Sequence, residues 1–114
     1  MKVSKDGKVI SILDLFEKDF VLLYGSEGHL WKSAADALVE AFPFPLESYR
    51  VAPDGDLIDI EGSWYTYYDM TVSGALLVRP DGHVAWRSKS LVGDPKMVLA
   101  GVCEAILIRA PKNN

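Results

Sequence analysis

The chain has 114 residues, 49% of them apolar and 25% charged, with a formal net charge of −4 and a single cysteine. That length allows one domain with a genuine core and is too short for two. The balance excludes a basic nucleic-acid footprint and an internal disulfide, and no apolar run approaches the roughly 20 residues that span a bilayer.

The N-terminal stretch from Met1 to Gly7 has no apolar h-region, so no secretory signal is expected. With Cys103 as the lone thiol, a reducing cytoplasm is the expected setting. Asp6-Gly7 predicts a turn, followed by a short extended piece over Lys8 to Ile10. Ser11-Ile12-Leu13-Asp14 fits an N-cap followed three residues later by an acid, opening one turn of helix through Phe16. Phe20 to Tyr24 is a run of strand formers too short for a helix, and predicts a buried strand. Gly25-Ser26-Glu27-Gly28 breaks it. Leu30, Trp31, Ala34, Ala35, Leu38 and Phe42 then recur at helical spacing, with Lys32, Asp36 and Glu40 opposite, and Pro43 closes that helix.

Leu46 to Val51 predicts the next strand, closed by Pro53-Asp54-Gly55. The span from Ile58 to Tyr68 suits a strand or a short helix. The Gly62-Ser63 start signal, and the need to cross between two strands, favour the helix. Gly74 to Arg87 then reads as a hairpin: Pro80 presets φ at the first turn position and Gly82 supplies a positive φ. Ala75 to Val78, apolar on both faces, is expected to be central in its sheet. Val84 and Trp86 are expected inward, with His83, Ala85 and Arg87 outward. Asp94 caps a last helix opened by Pro95 and made strongly apolar by Met97, Val98, Ala100, Gly101, Val102, Ala105, Ile106 and Ile108. The tail from Pro111 to Asn114 is expected to fray.

The order β-α-β-α-β-β-α is that of the thioredoxin fold, an α/β architecture with a mixed central sheet, helices on both faces and a C-terminal antiparallel hairpin plus helix. The whole of 1–114 is expected to form one such domain. Thiol chemistry on that fold needs a low-pKa cysteine at the start of the first main helix. Here Ser26-Glu27-Gly28-His29 holds that place, with no CxxC, and Thr71-Val72-Ser73 precedes the hairpin strand without a proline. Thiol redox function is therefore not expected, and Cys103, mid-helix on an apolar stripe, is expected to be a packing residue.

Other chemistry is equally poorly served. The Gly25 to Gly28 loop lacks the third glycine of a dinucleotide turn, and Glu27 would repel phosphate. His29 lies near a helix N-terminus, and His83 follows the hairpin turn pointing outward. Neither has a second ligand at metal-binding spacing. No nucleophile elbow singles out a triad. Asp54, Asp56, Asp59 and Glu61 superficially resemble a calcium loop, but a twelve-residue loop from Asp54 would end at Tyr65 rather than Glu, so turn and capping roles are expected. Trp31 and Trp86 are expected in the core. Trp64, Tyr65, Tyr67 and Tyr68 are divided between core and interface, and their density on one short segment suits an interface. No catalytic, cofactor-binding or metal-binding residue is assigned.

The chain also resembles a known family along nearly its whole length. Ser11 to Phe16 is similar to the "S-T-L-D-L-F" lead-in of the C-terminal, thioredoxin-like domain of FAD-dependent aromatic-ring hydroxylases, the phenol hydroxylase-like flavoprotein monooxygenases. Phe20 to Leu23, Trp31 with Ala34-Ala35, and Asp56-Leu57 with Asp59, Trp64 and Tyr68 resemble further parts of that domain. The most specific piece is Gly74 to Arg87, close to the family's "G-A-L-L-V-R-P-D-G-x-V-A-W-R". Met70 to Ser73 departs from the Gly- or Pro-containing turn more usual in polyketide-type members, which leaves the substrate subgroup open.

The resemblance implies a longer enzyme that binds FAD, uses NAD(P)H and oxygen, and hydroxylates phenols or polycyclic aromatics in an N-terminal FAD domain and a middle substrate domain. It implies for this domain a structural role, packing on those domains and in some members forming a homodimer, with no flavin in this chain; the charge and hydropathy given above lead us to expect no nucleic-acid or membrane partner. Two origins fit the length: a domain excised from a longer hydroxylase, which the start within the family's lead-in strand favours, or a free-standing redox-inactive binding or dimerisation module.

Overall fold

The computed structural model describes residues 2–16, 18–41, 45–66, 68–91 and 93–109. Four strands form the main sheet: β3 (Phe20–Tyr24), β4 (Leu46–Arg50), β6 (Ala75–Val78) and β7 (Val84–Ser88), in the order β4-β3-β6-β7. β3 and β4 are parallel, and the crossover this requires is the 13-residue helix α1 (His29–Ala41). β6 runs antiparallel to both β3 and β7. This is the mixed sheet expected from the element order, with β6 in the interior as its two-faced apolar run requires.

Alternation along the two central strands divides the core. Leu22 and Tyr24 of β3, with Ala75 and Leu77 of β6, face Trp31, Ala34, Ala35 and Leu38 of α1 and Leu99 and Cys103 of α3 (Pro95–Arg109). Val21, Leu23, Leu76 and Val78 face the other way. Their cover is a second sheet with the order β2-β1-β5, from β1 (Lys2–Lys5), β2 (Lys8–Ser11) and β5 (Ile58–Asp59). A 3-10 turn (Ile12–Leu15) and the single-turn helix α2 (Ser63–Thr66) complete that layer. Both long helices thus lie on one face, and the opposite face is closed by short helical turns and the small sheet.

Local chemistry explains the joints. Asp6 (φ 53°) and Gly7 (φ 79°) both take the left-handed region and close the β1–β2 hairpin, the geometry of a type I′ turn. Ser11 caps the 3-10 turn, its side chain accepting from Leu13 N. Asp94 accepts from Met97 N through Oδ1 at 3.3 Å and from Val98 N through its carbonyl at 3.0 Å, so it is the α3 cap. Asp94→Ala is expected to cost about 1 kcal/mol, read as a lower urea midpoint with unchanged slope.

Three expectations are corrected. Leu30 is exposed, because the buried stripe of α1 runs through Trp31, Ala34, Ala35 and Leu38, and Leu30 lies about 100° around the helix from Trp31. Val84 does not point inward with Trp86. The β6–β7 register shifts between Leu77 and Val78, pairing Leu77 with Trp86 but Val78 with Val84. The extra residue, Ala85, makes a bulge that flips the alternation, so Ala85 joins Trp86 against the helix-side core and Val84 is exposed. The Ile58–Tyr68 span is part strand: Ile58 and Asp59 pair with Ser4 and Val3, and among its described residues only Ser63–Thr66 is helical. Phe42, Pro43 and the tail from Pro111 lie outside the described residues. No helix among the described residues is long and apolar enough to cross a membrane.

Candidate functional site

On this fold the natural place for chemistry is the junction of β3, the start of α1 and the loop before β6. Here main chain fills it. Gly25 N donates to Gly74 O at 3.1 Å and Glu27 N to Val72 O at 2.8 Å. The Trp31 indole Nε1 donates to Ser73 O at 2.9 Å, fixing the same loop from below. Thr71 closes the far side: its N and Oγ1 both donate to Lys89 O, at 3.0 and 2.6 Å. Arg50 ties in the near side, with Nε donating to Ser26 O at 3.2 Å and Nη1 lying 3.1 Å from Asp54 Oδ1.

A Cβ on Gly25 would stand 2.4 Å from Val72 O. The open side of that glycine is therefore occupied by protein backbone, and with Glu27 beside it the Gly25–Gly28 loop does not fit a flavin or nicotinamide pyrophosphate.

The other candidates are dispersed. His29 is exposed at the start of α1, and His83 is exposed beside the hairpin turn with Nδ1 3.2 Å from Asp81 Oδ1. The His83 backbone N–H is the main cause that holds the Asp81 carboxyl below its usual range, with the His83 side chain and Arg79 adding to it. These contacts staple the turn around Gly82 (φ 88°). The four acids of residues 54–61 take separate structural partners. Asp56 accepts from Arg50 N and Asp59 from Trp64 N, while Glu61 accepts from Lys2 N and Asp54 pairs with Arg50. No group of three or more His, Cys, Asp or Glu among the described residues could hold a metal ion.

Cys103 is fully buried, and burial pushes its thiol up to about 11. The folded chain should resist iodoacetamide at pH 8 and react on unfolding in urea. The shift also has a sign. A thiol whose folded pKa lies above its unfolded value loses its contribution as pH rises, so stability should begin to fall near pH 9, where the unfolded thiol ionises, and continue falling toward pH 11. Cys103→Ala should flatten that part of the profile.

The aromatic segment separates by position. Trp64 is a core residue, its indole Nε1 donating to Thr71 O at 3.0 Å, because Asp59 pins its backbone N–H at 2.7 Å and turns the ring inward. Of the two roles left open for it, core and interface, its buried ring takes the core one. Tyr68 is half-buried against the same cluster, Tyr65 is exposed, and Tyr67 lies outside the described residues. Trp31 and Trp86 pack edge to face with centroids 5.2 Å apart, the core role expected of both.

Beside Tyr65 is a cleft of about 180 Å³, walled by Val51, Pro53, Ile58 and Trp64, with Asp59 among its lining residues. Sequence patterning did not single out Ile58 and Ile60, since their exposure follows from a two-residue strand that the pattern could not show. A wider hollow of about 330 Å³ lies among Asp14, Lys18, Asp19, Glu47 and Tyr49.

Comparison with known proteins places this geometry. The family described as "Aromatic-ring hydroxylase, C-terminal" matches residues 1–110. A 4-methyl-5-nitrocatechol 5-monooxygenase from Burkholderia sp is 40% identical over 99 residues, 87% of this chain and 18% of that protein. A tetracenomycin A2 monooxygenase-dioxygenase from Streptomyces glaucescens is 37% identical over 107 residues, 94% of this chain and 19% of that protein. The crystal structure of aklavinone-11 hydroxylase with FAD and aklavinone superposes with a TM-score of 0.86 at 38% identity, over 96% of this chain and 20% of that one. The chain thus spans about a fifth of the length of the relatives it matches. It belongs to the family of C-terminal domains of FAD-dependent aromatic-ring hydroxylases.

Proposed function

We propose that these residues form a non-catalytic structural domain of a longer FAD-dependent aromatic monooxygenase, in which the FAD and substrate domains of the same polypeptide perform the oxygen chemistry with NAD(P)H. The observation that carries this reading is the junction of β3, α1 and β6. Backbone from 71–74 and the Trp31 indole occupy the space where the fold would otherwise present a reactive group. The substrate class follows from the relatives: a phenol or polycyclic aromatic, as the nitrocatechol and tetracenomycin enzymes suggest for their own substrates. A cytoplasmic setting suits a single thiol held in the core.

The test uses both forms. The 114-residue chain, mixed with FAD, should leave flavin fluorescence unquenched and should not oxidise NAD(P)H in the presence of a phenol. Removing the same residues from the full-length polypeptide should lower the yield of folded, flavin-loaded enzyme. Flavin bound stoichiometrically by the short chain, or turnover by it, would overturn the proposal.

A second reading, a dimerisation module, is favoured by α3. That helix is apolar nearly all round, yet Met97 is 72% exposed on it. A defined dimer of the 114-residue chain in sedimentation, abolished by Met97→Glu, would support that reading.

A further inference from the structure

Three Asp-Gly pairs lie in this chain, at 6–7, 54–55 and 81–82. Each can in principle undergo the same reaction, in which the glycine amide attacks the neighbouring carboxyl and no glycine side chain shields it. The fold treats the three pairs differently, at the amide and at the carboxyl alike.

The amides differ first. Gly55 N donates to Ala52 O at 3.1 Å and Gly82 N to Arg79 O at 2.9 Å, whereas the Gly7 N–H has no hydrogen-bond acceptor among the described residues. Space differs too. A Cβ on Gly55 would lie 2.5 Å from Arg50 O, but nothing stands within 4 Å of the same position on Gly7. The carboxyls follow the same order. Asp54 pairs with Arg50 at 3.1 Å, and Asp81 is held by Arg79, by His83 N at 3.1 Å and by His83 Nδ1. Asp6 has a single partner among the described residues, Lys5 at 3.5 Å, and its side chain is 90% exposed.

We propose that Asp6-Gly7, at the tip of the β1–β2 hairpin, is a site of spontaneous isoaspartate formation. Gly7 N attacks Asp6 Cγ. The N–Cγ bond forms while the carboxylic acid loses its hydroxyl and the amide its proton, so one water leaves and a succinimide ring closes. One water then opens the ring. Attack at the Cγ carbonyl restores Asp6. Attack at the former peptide carbonyl leaves Gly7 joined through Cγ, the β linkage. The water lost equals the water gained, and no group is oxidised or reduced. Ring closure requires the Asp6 backbone to rotate out of its turn conformation, and the exposed tip of a hairpin is where such local opening costs least. At the other two pairs the same rotation must also break the glycine hydrogen bond and the contacts of the carboxylate.

The product bears on the fold. A β linkage inserts one methylene into the main chain of a two-residue turn, and loop length sets the register of a hairpin. β1 is the middle strand of the β2-β1-β5 sheet and carries the fully buried Val3. Conversion at residue 6 therefore loosens the small sheet and leaves the four-stranded sheet intact.

The experiment incubates the folded full-length polypeptide in water enriched in heavy oxygen, since each passage through the succinimide installs one solvent oxygen. Chymotryptic cleavage after Leu13, Tyr49, Leu57, Leu77 and Trp86 puts the three pairs on separate peptides for mass analysis. The peptide with residue 6 should gain label about tenfold faster than those with residues 54 and 81, the factor that one hydrogen bond and one carboxylate contact together supply. In urea the three should label alike. Labelling at 54 or 81 as fast as at 6 in the folded chain overturns the inference, and so does a lead at residue 6 that persists undiminished in urea. Asp6→Glu, which cannot close the five-membered ring, should abolish label on its peptide, and label that remains overturns the assignment to Asp6. In the separated isoaspartyl fraction the β1 amides should exchange hydrogen faster than in the parent while those of β3 and β6 do not change. Unaltered exchange in β1 overturns the loosening.

Discussion

Trp31→Ala is expected to bring the domain close to unfolding at room temperature. Trp31 is fully buried between the main sheet and the helices, and it joins three separate parts of the structure. Its ring packs edge to face on Trp86 of β7 at 5.2 Å, its indole N–H holds Ser73 O at 2.9 Å, and its backbone N–H bonds Gly28 O at 2.9 Å at the first turn of α1. Truncating a buried Trp costs about 3–5 kcal/mol through lost transfer energy and the cavity left behind. Domains of this size have about 5–15 kcal/mol in all. The corresponding fall in Tm is roughly 12–40 °C, at about 4–8 °C per kcal/mol. Trp31→Phe separates the two contributions. It keeps most of the apolar volume but strands the Ser73 carbonyl, and should cost about 1–2 kcal/mol beyond the small packing change. Thermal and urea unfolding followed by circular dichroism measure both. A loss below about 1 kcal/mol for the alanine variant would mean that the ring is not a packing element at all.

What the sequence made legible follows the range of the interactions. β3, α1, β6 and α3 are specified within themselves, by Val21 to Tyr24, by the Trp31–Leu38 stripe, by Ala75 to Val78, and by the Asp94-Pro95 start. The second sheet is specified between segments. β5 has two residues and exists because Val3 meets Asp59, 56 positions later, a pairing that no window along the chain contains. The misplacement of Val84 has a similar origin: strict alternation is right for each half of β7, and one bulged residue shifts the phase between them.

The candidate site shows the same division. The absence of cysteine at Ser26 to His29 was legible residue by residue. The filling of that place by 71–74 was not, since it depends on β3 and β6 being neighbours. Trp64 was ambiguous for a local reason. Its aromatic neighbours suggest a surface cluster, and only the Asp59 carboxylate on its N–H and the Thr71 carbonyl on its indole turn it inward. The family resemblance carried what local pattern could not, because Gly74 to Arg87 encodes a strand, a turn and an edge strand in one motif.

Gly25→Ala and Gly101→Ala are the same chemical change and should have opposite signs. At Gly25 the new Cβ would meet Val72 O at 2.4 Å, Val72 C at 2.7 Å and Thr71 O at 2.9 Å. All three are backbone atoms, so no side chain can swing aside. Relief requires the 25–28 loop to part from 71–73. That would break the Gly25–Gly74 and Glu27–Val72 hydrogen bonds and draw Ser73 O away from the Trp31 indole. Overpacking of this kind costs about 1–3 kcal/mol, occasionally more, and the loss of paired backbone groups places Gly25→Ala at the upper end of that range or beyond it. Gly101 sits within α3 with nothing within 4 Å of its would-be Cβ, so alanine there should raise stability by about 0.5–1 kcal/mol through backbone entropy. Urea midpoints of the two variants against the parent chain decide the matter. If Gly25 were there to let a phosphate approach, its alanine variant would fold as well as the parent and only ligand binding would suffer. If it is there because two loops of this chain touch at that point, folding itself fails first.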